Sequence, residues 1–292
     1  MLSPVLQKKL AQVGFDSVAI EDLVRAAIAE DLDGGIDTTS TATIPRDQNS
    51  FAEFRARKAG VVSGVLIAAA VLESQGIENY EIYCGDGTSV VAGDLIIEAR
   101  GNTRALLLAE RTALNFLGHL SGISTLTKVW VDAIAGTTTK IRDTRKTTPL
   151  YRKLEKFAVR MGGGVNHRMS LSDAALIKDN HIVADGSLTS AYRAIKTLNP
   201  NISIEVEVDT FEQLIEAIAV GADLVLLDNM SPAQCSEAVA LSAGRTRLEA
   251  SGGIELANAR AYAETGVDYL AIGALTHSAP VLDIGLDLKV SE

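Results

Sequence analysis

Residues 203–230 read SIEVEVDTFEQLIEAIAVGADLVLLDNM, and this stretch decides the fold. SIEVEV (203–208) alternates apolar and acidic residues, the period-2 signature of a strand. TFEQLIEAIAVGA (210–222) carries an apolar stripe opposite Glu and Gln, the pattern of a helix lying on a sheet. ADLVLLD (222–228) is a short apolar run that ends in an acid and reads as a second strand. Strand, helix and strand in so short a span form a βαβ unit, whose two strands run parallel.

The same alternation extends in both directions. KIRDT (140–144), ALIKD (175–179), RLEASG (247–252) and DYLAIG (268–273) are further strand-like runs. SPAQCSEAVALSA and LANARAYAETG supply helices between the later ones. Six strands in this span favour a closed or nearly closed α/β barrel over an open sheet. The placement of reactive residues tips the choice. Strand ends carry Arg145 and Lys146, Lys178, Glu207, Asp228, Ser251-Gly252-Gly253 and Gly273. In such barrels the C-terminal strand ends form the mouth of the active site.

The first 115 or so residues read differently. LVRAAIAEDL reads as a helix, and FAEFRARKAG, YEIYCGDGTSVVAG and DLIIEARG suggest a small antiparallel sheet with Gly-rich turns. LLLAERTALNFLGHLSGISTLTKVWVDAIAG then reads as long helices leading into the barrel. The expected division is an N-terminal domain over residues 1–116, with residues 276–292 packing back on it, and a barrel over residues 117–275.

Composition excludes several classes. The 292 residues carry a formal net charge of −10, which repels nucleic acid and anionic membrane. The most apolar run, Val61 to Leu72, is too short to span a bilayer. Cys84 and Cys235 fit neither a disulfide framework nor a zinc spacing. With no apolar signal segment in the first residues, the expected location is the cytoplasm.

Against that acidity, Lys140, Arg142, Arg145, Lys146, Arg152, Lys153, Lys156, Arg160 and Arg168 crowd together, with His167 beside them and only Asp143 and Glu155 opposing. Such a reversal of sign focuses anions, and Arg forks fit carboxylates and phosphates. Arg152, Lys153 and Lys156 read equally well as a solvated helix face. Lys178 ends an apolar run, where a lysine forms a Schiff base or acts as a point charge against anions. Glu205 and Glu207 are two apart and share one strand face. Glu207 and Asp228 together suit a hard metal such as Mg²⁺ or a cationic transition state, or else internal salt bridges with Lys178 and Arg145. Ser251-Gly252-Gly253 with Gly273 suggests a phosphate cradle of backbone N–H groups. Gly162-Gly163-Gly164 lacks the spacing of a dinucleotide fingerprint, and neither a GxxxxGK loop nor a zinc histidine pattern occurs.

Taken together, these strings resemble the quinolinate phosphoribosyltransferase family. The resemblance is densest in ERTALNFLGHLSGIST (110–125), in DTRKTTPLYRKLEKFAVRMGGGVNHRMSLSDAALIKDNH (143–181), and in IEVEVD, DLVLLDNM and LEASGGI. It implies an N-terminal α/β sandwich, an incomplete α/β barrel, and a homodimer or a higher oligomer built on it. It also implies Mg²⁺ and the conversion of quinolinate and phosphoribosyl pyrophosphate to nicotinate mononucleotide, pyrophosphate and CO₂. By position, Arg111, donated to the partner's site, joins Arg145, His167, Arg168 and Lys178 on the quinolinate carboxylates, and Lys146 assists with pyrophosphate. Glu207 and Asp228 serve Mg²⁺ and ribose, while Ser251, Gly252, Gly253 and Gly273 hold the 5′-phosphate. Lys178, Glu207 and Asp228 are the expected catalytic set. Rival readings are a relative in molybdenum metabolism, a Schiff-base aldolase centred on Lys178, and a non-catalytic anion-binding module.

Overall fold

VLIAAAVL is apolar on every face, so as a helix it can only be interior. The computed structural model, which describes residues 1–290, places it in the helix Val65–Ser74 with Val65 and Ile67 through Leu72 all buried. The strands, numbered in chain order, are β1 (Asn49–Ala56), β2 (Gly60–Val61), β3 (Asn79–Ile82), β4 (Ser89–Val90), β5 (Leu95–Asn102) and β6 (Lys140–Arg142). They continue as β7 (Ala175–Ile177), β8 (Ile204–Val208), β9 (Leu224–Asp228), β10 (Arg247–Ser251), β11 (Tyr269–Ala271) and β12 (Ile284–Val290). The chain divides into two compact units, one of Met1–Leu126, Lys153–Gly162 and the segment from Ala279 onward, the other of Thr127–Arg152 and Gly163–Ser278.

In the first unit an antiparallel sheet runs in the order β12-β1-β5-β3, beside a small β2-β4 pair. Phe54, fully buried, sits opposite Leu286 on one neighbour and Ile97 on the other. The C-terminal segment therefore covers the edge of β1 that would otherwise be open. The expected tail begins at residue 276, but Thr276 lies in the short helix Ala274–His277 of the second unit. The expected boundary at residue 116 falls inside one continuous helix, Thr103–Ala133, where the sequence suggested several. Where the tail crosses this helix, Gly122 is obligatory: an added Cβ would lie 2.1 Å from the Pro280 carbonyl oxygen. Backbone cannot yield as a side-chain tip can. Gly122→Ala is therefore expected to lower Tm by several degrees, an overpacking cost of about 1–3 kcal/mol, measurable by thermal unfolding.

The second unit holds all six expected strands in a parallel sheet ordered β6-β11-β10-β9-β8-β7. Its helices start where the sequence supplies caps. Thr210 with Gln213 and Ser231 with Gln234 form capping boxes ahead of the helices Phe211–Val220 and Pro232–Ser242, the latter with Pro at its first position. Val206, Val208, Val225 and Leu227 are buried on one face of the sheet. The alternate residues Glu205, Glu207, Leu224 and Leu226 line cavities on the other, as period 2 requires. The ladder does not close: among the described residues no pairing joins the edge strands β6 and β7, and Arg142 bridges instead to Val165, ahead of β7. The architecture is thus an incomplete parallel α/β barrel with a separate antiparallel-sheet domain. Among the described residues no helix is long and apolar enough to cross a membrane.

Candidate active site

Parallel pairing aligns the C-terminal strand ends, setting Asp228 opposite Ser251 and Glu207 opposite Leu226. A cavity of about 410 Å³ opens there, lined by Thr144, Arg145, Lys146, His167, Arg168, Leu176, Lys178, Glu207, Leu226, Asp228, Glu249, Ser251 and Ala271. Eight residues singled out from sequence thus meet in one place: Arg145, Lys146, His167, Arg168, Lys178, Glu207, Asp228 and Ser251. Gly252 and Gly253 follow β10 just outside this lining, both with positive φ. Gly273 precedes the helix Ala274–His277 and lies against Lys146, whose Cδ would be 3.1 Å from an added Cβ. Arg111 is exposed on the helix Thr103–Ala133, in the part that belongs to the other unit.

Two guanidinium groups dominate the cavity. Arg145 and Arg168 each bury an Nε that has no hydrogen-bond partner in the structure. Arg168 spends one N–H on the Ala174 carbonyl at 3.0 Å. Burial first, and then the neighbouring charge of Arg145, depress the pKa of Arg168 below the usual guanidinium value. Like charges held side by side with unsatisfied donors need an anion between them. At the other wall Lys178 Nζ donates to Glu207 Oε2 at 2.6 Å, and Asn229 Nδ2 donates to Asp228 Oδ2 at 2.7 Å. Lys178 ends its apolar run with a side chain 46% exposed, and it precedes the helix Asp179–Asp185. The loop keeps it available to a soluble ligand.

The basic helix face also resolves unevenly. Lys153 is exposed, but Lys156 and Glu155 are fully buried on the helix Arg152–Met161. Arg152 donates to Thr147 Oγ1 at 3.0 Å and to the Met169 carbonyl at 3.2 Å. A uniformly solvated face is excluded for this segment.

Beneath the cavity lies a charged layer that sequence reasoning largely missed. His167 Nε2 contacts Glu205 Oε2 at 2.6 Å, and Arg142 donates to Glu249 Oε2 at 2.7 Å. Arg142 also stacks over the Tyr269 ring at 4.6 Å. Asp143, fully buried, accepts the backbone N–H of His167 at 2.8 Å and so fixes where that imidazole starts. Burial, then the charge of Glu205, pushes the carboxyl of Glu249 up to about 7, while Arg142 and His167 pull it back. The missed signal is periodicity, since Glu249 and Ser251 alternate with Leu248 and Ala250 in RLEAS as Glu205 and Glu207 do in β8.

Two groupings invite a metal. His167, Glu205 and Glu249 bring ligand-type atoms within 4.8 Å of one another, but these groups are already paired with each other and with Arg142. Glu207 and Asp228 instead offer two carboxylates on adjacent strands facing the cavity. That donor set fits Mg²⁺, which keeps several waters and takes one or two protein carboxylates together with substrate phosphates.

Known proteins identify the family. A family model described as the N-terminal domain of quinolinate phosphoribosyl transferase matches residues 37–121, and the C-terminal domain model matches residues 123–287. A carboxylating nicotinate-nucleotide pyrophosphorylase from Mycobacterium leprae is 48% identical over 285 residues, covering 96% of this chain and all of that protein. A probable enzyme of the same name from Bacillus subtilis is 42% identical, covering 93% and 94%. The crystal structure of NadC from Streptococcus pyogenes superposes with a TM-score of 0.91 at 39% identity, covering 95% of this chain and 99% of that one. With both domains matched in order along one chain, and with a relative this similar over its full length, the protein belongs to the quinolinate phosphoribosyl transferase family.

Proposed function

We propose that the protein joins the phosphoribosyl group of phosphoribosyl pyrophosphate to quinolinate, releasing pyrophosphate and CO₂ and leaving nicotinate mononucleotide for NAD biosynthesis. One observation carries this reading: Arg145 and Arg168 present adjacent, unsatisfied guanidinium donors in a cavity. Quinolinate bears two carboxylates on neighbouring ring carbons, and a pair of forks suits that spacing as a single carboxylate would not. Lys178 adds positive charge and His167 an imidazole in the same cavity, and Lys146 meets the pyrophosphate. Ser251, Gly252, Gly253 and Gly273 take the 5′-phosphate.

In the reaction the pyridine nitrogen bonds to the anomeric carbon while pyrophosphate departs with the bonding pair. As the pyrophosphate departs, positive charge develops on the ribose, and the carboxylates of Glu207 and Asp228 are there to stabilise it. The adjacent carboxylate's C–C bond next breaks as CO₂ leaves, its electron pair stays on the ring carbon beside the positively charged ring nitrogen that stabilises it, and that carbon takes a proton from Lys178 or water. Bound at Glu207 and Asp228, Mg²⁺ would neutralise charge on the departing pyrophosphate. Lys178 serves as a point charge rather than a Schiff-base amine in this scheme, since its Nζ is held by Glu207.

The assembly is proposed to be a homodimer in which Arg111 completes the partner's site. Its compartment is proposed to be the cytoplasm, consistent with two free cysteines. An assay with quinolinate, phosphoribosyl pyrophosphate and Mg²⁺, following nicotinate mononucleotide and CO₂, tests the reaction. Product from quinolinate and none from nicotinate is expected; equal rates with nicotinate would overturn the dicarboxylate reading.

A further inference from the structure

Asn229 follows the last residue of β9 and adopts φ +54, a left-handed conformation that asparagine tolerates better than other side chains. Three interactions converge on it. Its backbone N–H donates to the Ser251 carbonyl at 2.8 Å, tying the end of β9 to the end of β10. Its Nδ2 donates to Asp228 Oδ2 at 2.7 Å. Its amide oxygen lies where a side chain on Gly252 would begin: an added Cβ there would sit 2.1 Å from Oδ1 and 2.7 Å from Cγ. The side chain is thus laid flat across the Cα of Gly252 and aimed at the carboxylate of Asp228.

We propose that Asn229 is a positioning residue for the reaction, holding the Asp228 carboxylate in one rotamer through a side-chain geometry that Gly252 alone permits. The inference rests on the reading above that Asp228 serves ribose and Mg²⁺. A carboxylate on a strand end is free to turn about two bonds. The amide of Asn229 occupies one oxygen of Asp228, a residue that lines the cavity. Gly252 has φ +85 and needs to be glycine for that reason as well, but the missing Cβ is filled by the Asn229 amide. The glycine of this turn therefore serves the neighbouring carboxylate through Asn229, in addition to any approach of a phosphate to its backbone.

Asn229→Gly keeps the left-handed backbone and the bond to Ser251 while deleting the amide. Asn229→Asp keeps the shape but sets a second carboxylate against the first. For the glycine variant the expected result is a KM for phosphoribosyl pyrophosphate raised about tenfold, with KM for quinolinate and Tm held. The aspartate variant should lose more. A crystal structure of Asn229→Gly should show the Asp228 carboxylate in more than one rotamer. In the Gly252→Ala background the further loss from Asn229→Gly should shrink, because the alanine methyl has already displaced the amide. Unchanged kinetics with an unmoved Asp228 would overturn the proposal. Should the unaltered protein fail to turn over, the proposed reaction falls, and the Asp228 rotamer in that crystal structure still decides for or against positioning by Asn229.

Discussion

Arg168→Ala is expected to lower kcat/KM for quinolinate by about two to four orders of magnitude while leaving Tm unchanged or higher. Two charge-assisted bonds to a carboxylate contribute about 1.5–3 kcal/mol each, and every 1.4 kcal/mol is tenfold. The stability half follows from the same geometry. Arg168 is partly buried beside Arg145 with its Nε unpartnered, so the ligand-free fold bears a repulsion that alanine removes. Arg168→Lys should stay impaired, because an ammonium cannot form the fork. Steady-state kinetics with both substrates, alongside thermal unfolding, make the check. A loss of activity matched by a large fall in Tm would instead make Arg168 a structural residue, through its bond to the Ala174 carbonyl.

Glu207→Gln should reduce kcat about a hundredfold and barely alter KM for quinolinate. The substitution keeps size and hydrogen bonding yet removes the negative charge that faces the developing cation, and losing one preorganised electrostatic contact of this kind costs about 10²–10³ in rate. Lys178, now lacking its carboxylate partner at 2.6 Å, would remain available to the substrate's carboxylates. The split between kcat and KM is the discriminating readout. A raised KM for phosphoribosyl pyrophosphate with unchanged kcat would make Glu207 a ground-state ligand, and its transition-state role would fall.

Much of the site was legible because the chemistry is written at strand ends. The runs ending before Arg145, Lys178, Asp228 and Gly252 could be aligned without coordinates, since parallel strands place their C-termini on one rim. The residues that support them were less visible. Asp143 looked like a counter-charge in a basic region, Glu205 was read only as sharing a strand face with Glu207, and Glu249 and Asn229 drew no notice. Each acts through a neighbour distant in sequence: Glu249 on Arg142, Glu205 on His167, Asn229 on Gly252.

By itself the sequence determined the elements of the barrel and its polarity, because alternation over five residues and capping boxes such as Thr210–Gln213 arise from short-range sterics and hydrogen bonds. It also determined which residues carry charge to the rim. Only the tertiary structure decided where the sheet stays open, between β6 and β7, that residues from Lys153 to Gly162 belong with the N-terminal unit, and that β1 is the strand β12 pairs with. A pairing such as Phe54 with Leu286 joins segments far apart in the chain, and no local pattern names its partner. The buried charges beneath the cavity were settled in the same way. A carboxylate such as Glu249 can be interior only where folding brings a cation to it, and in the sequence Arg142 lies more than a hundred residues away.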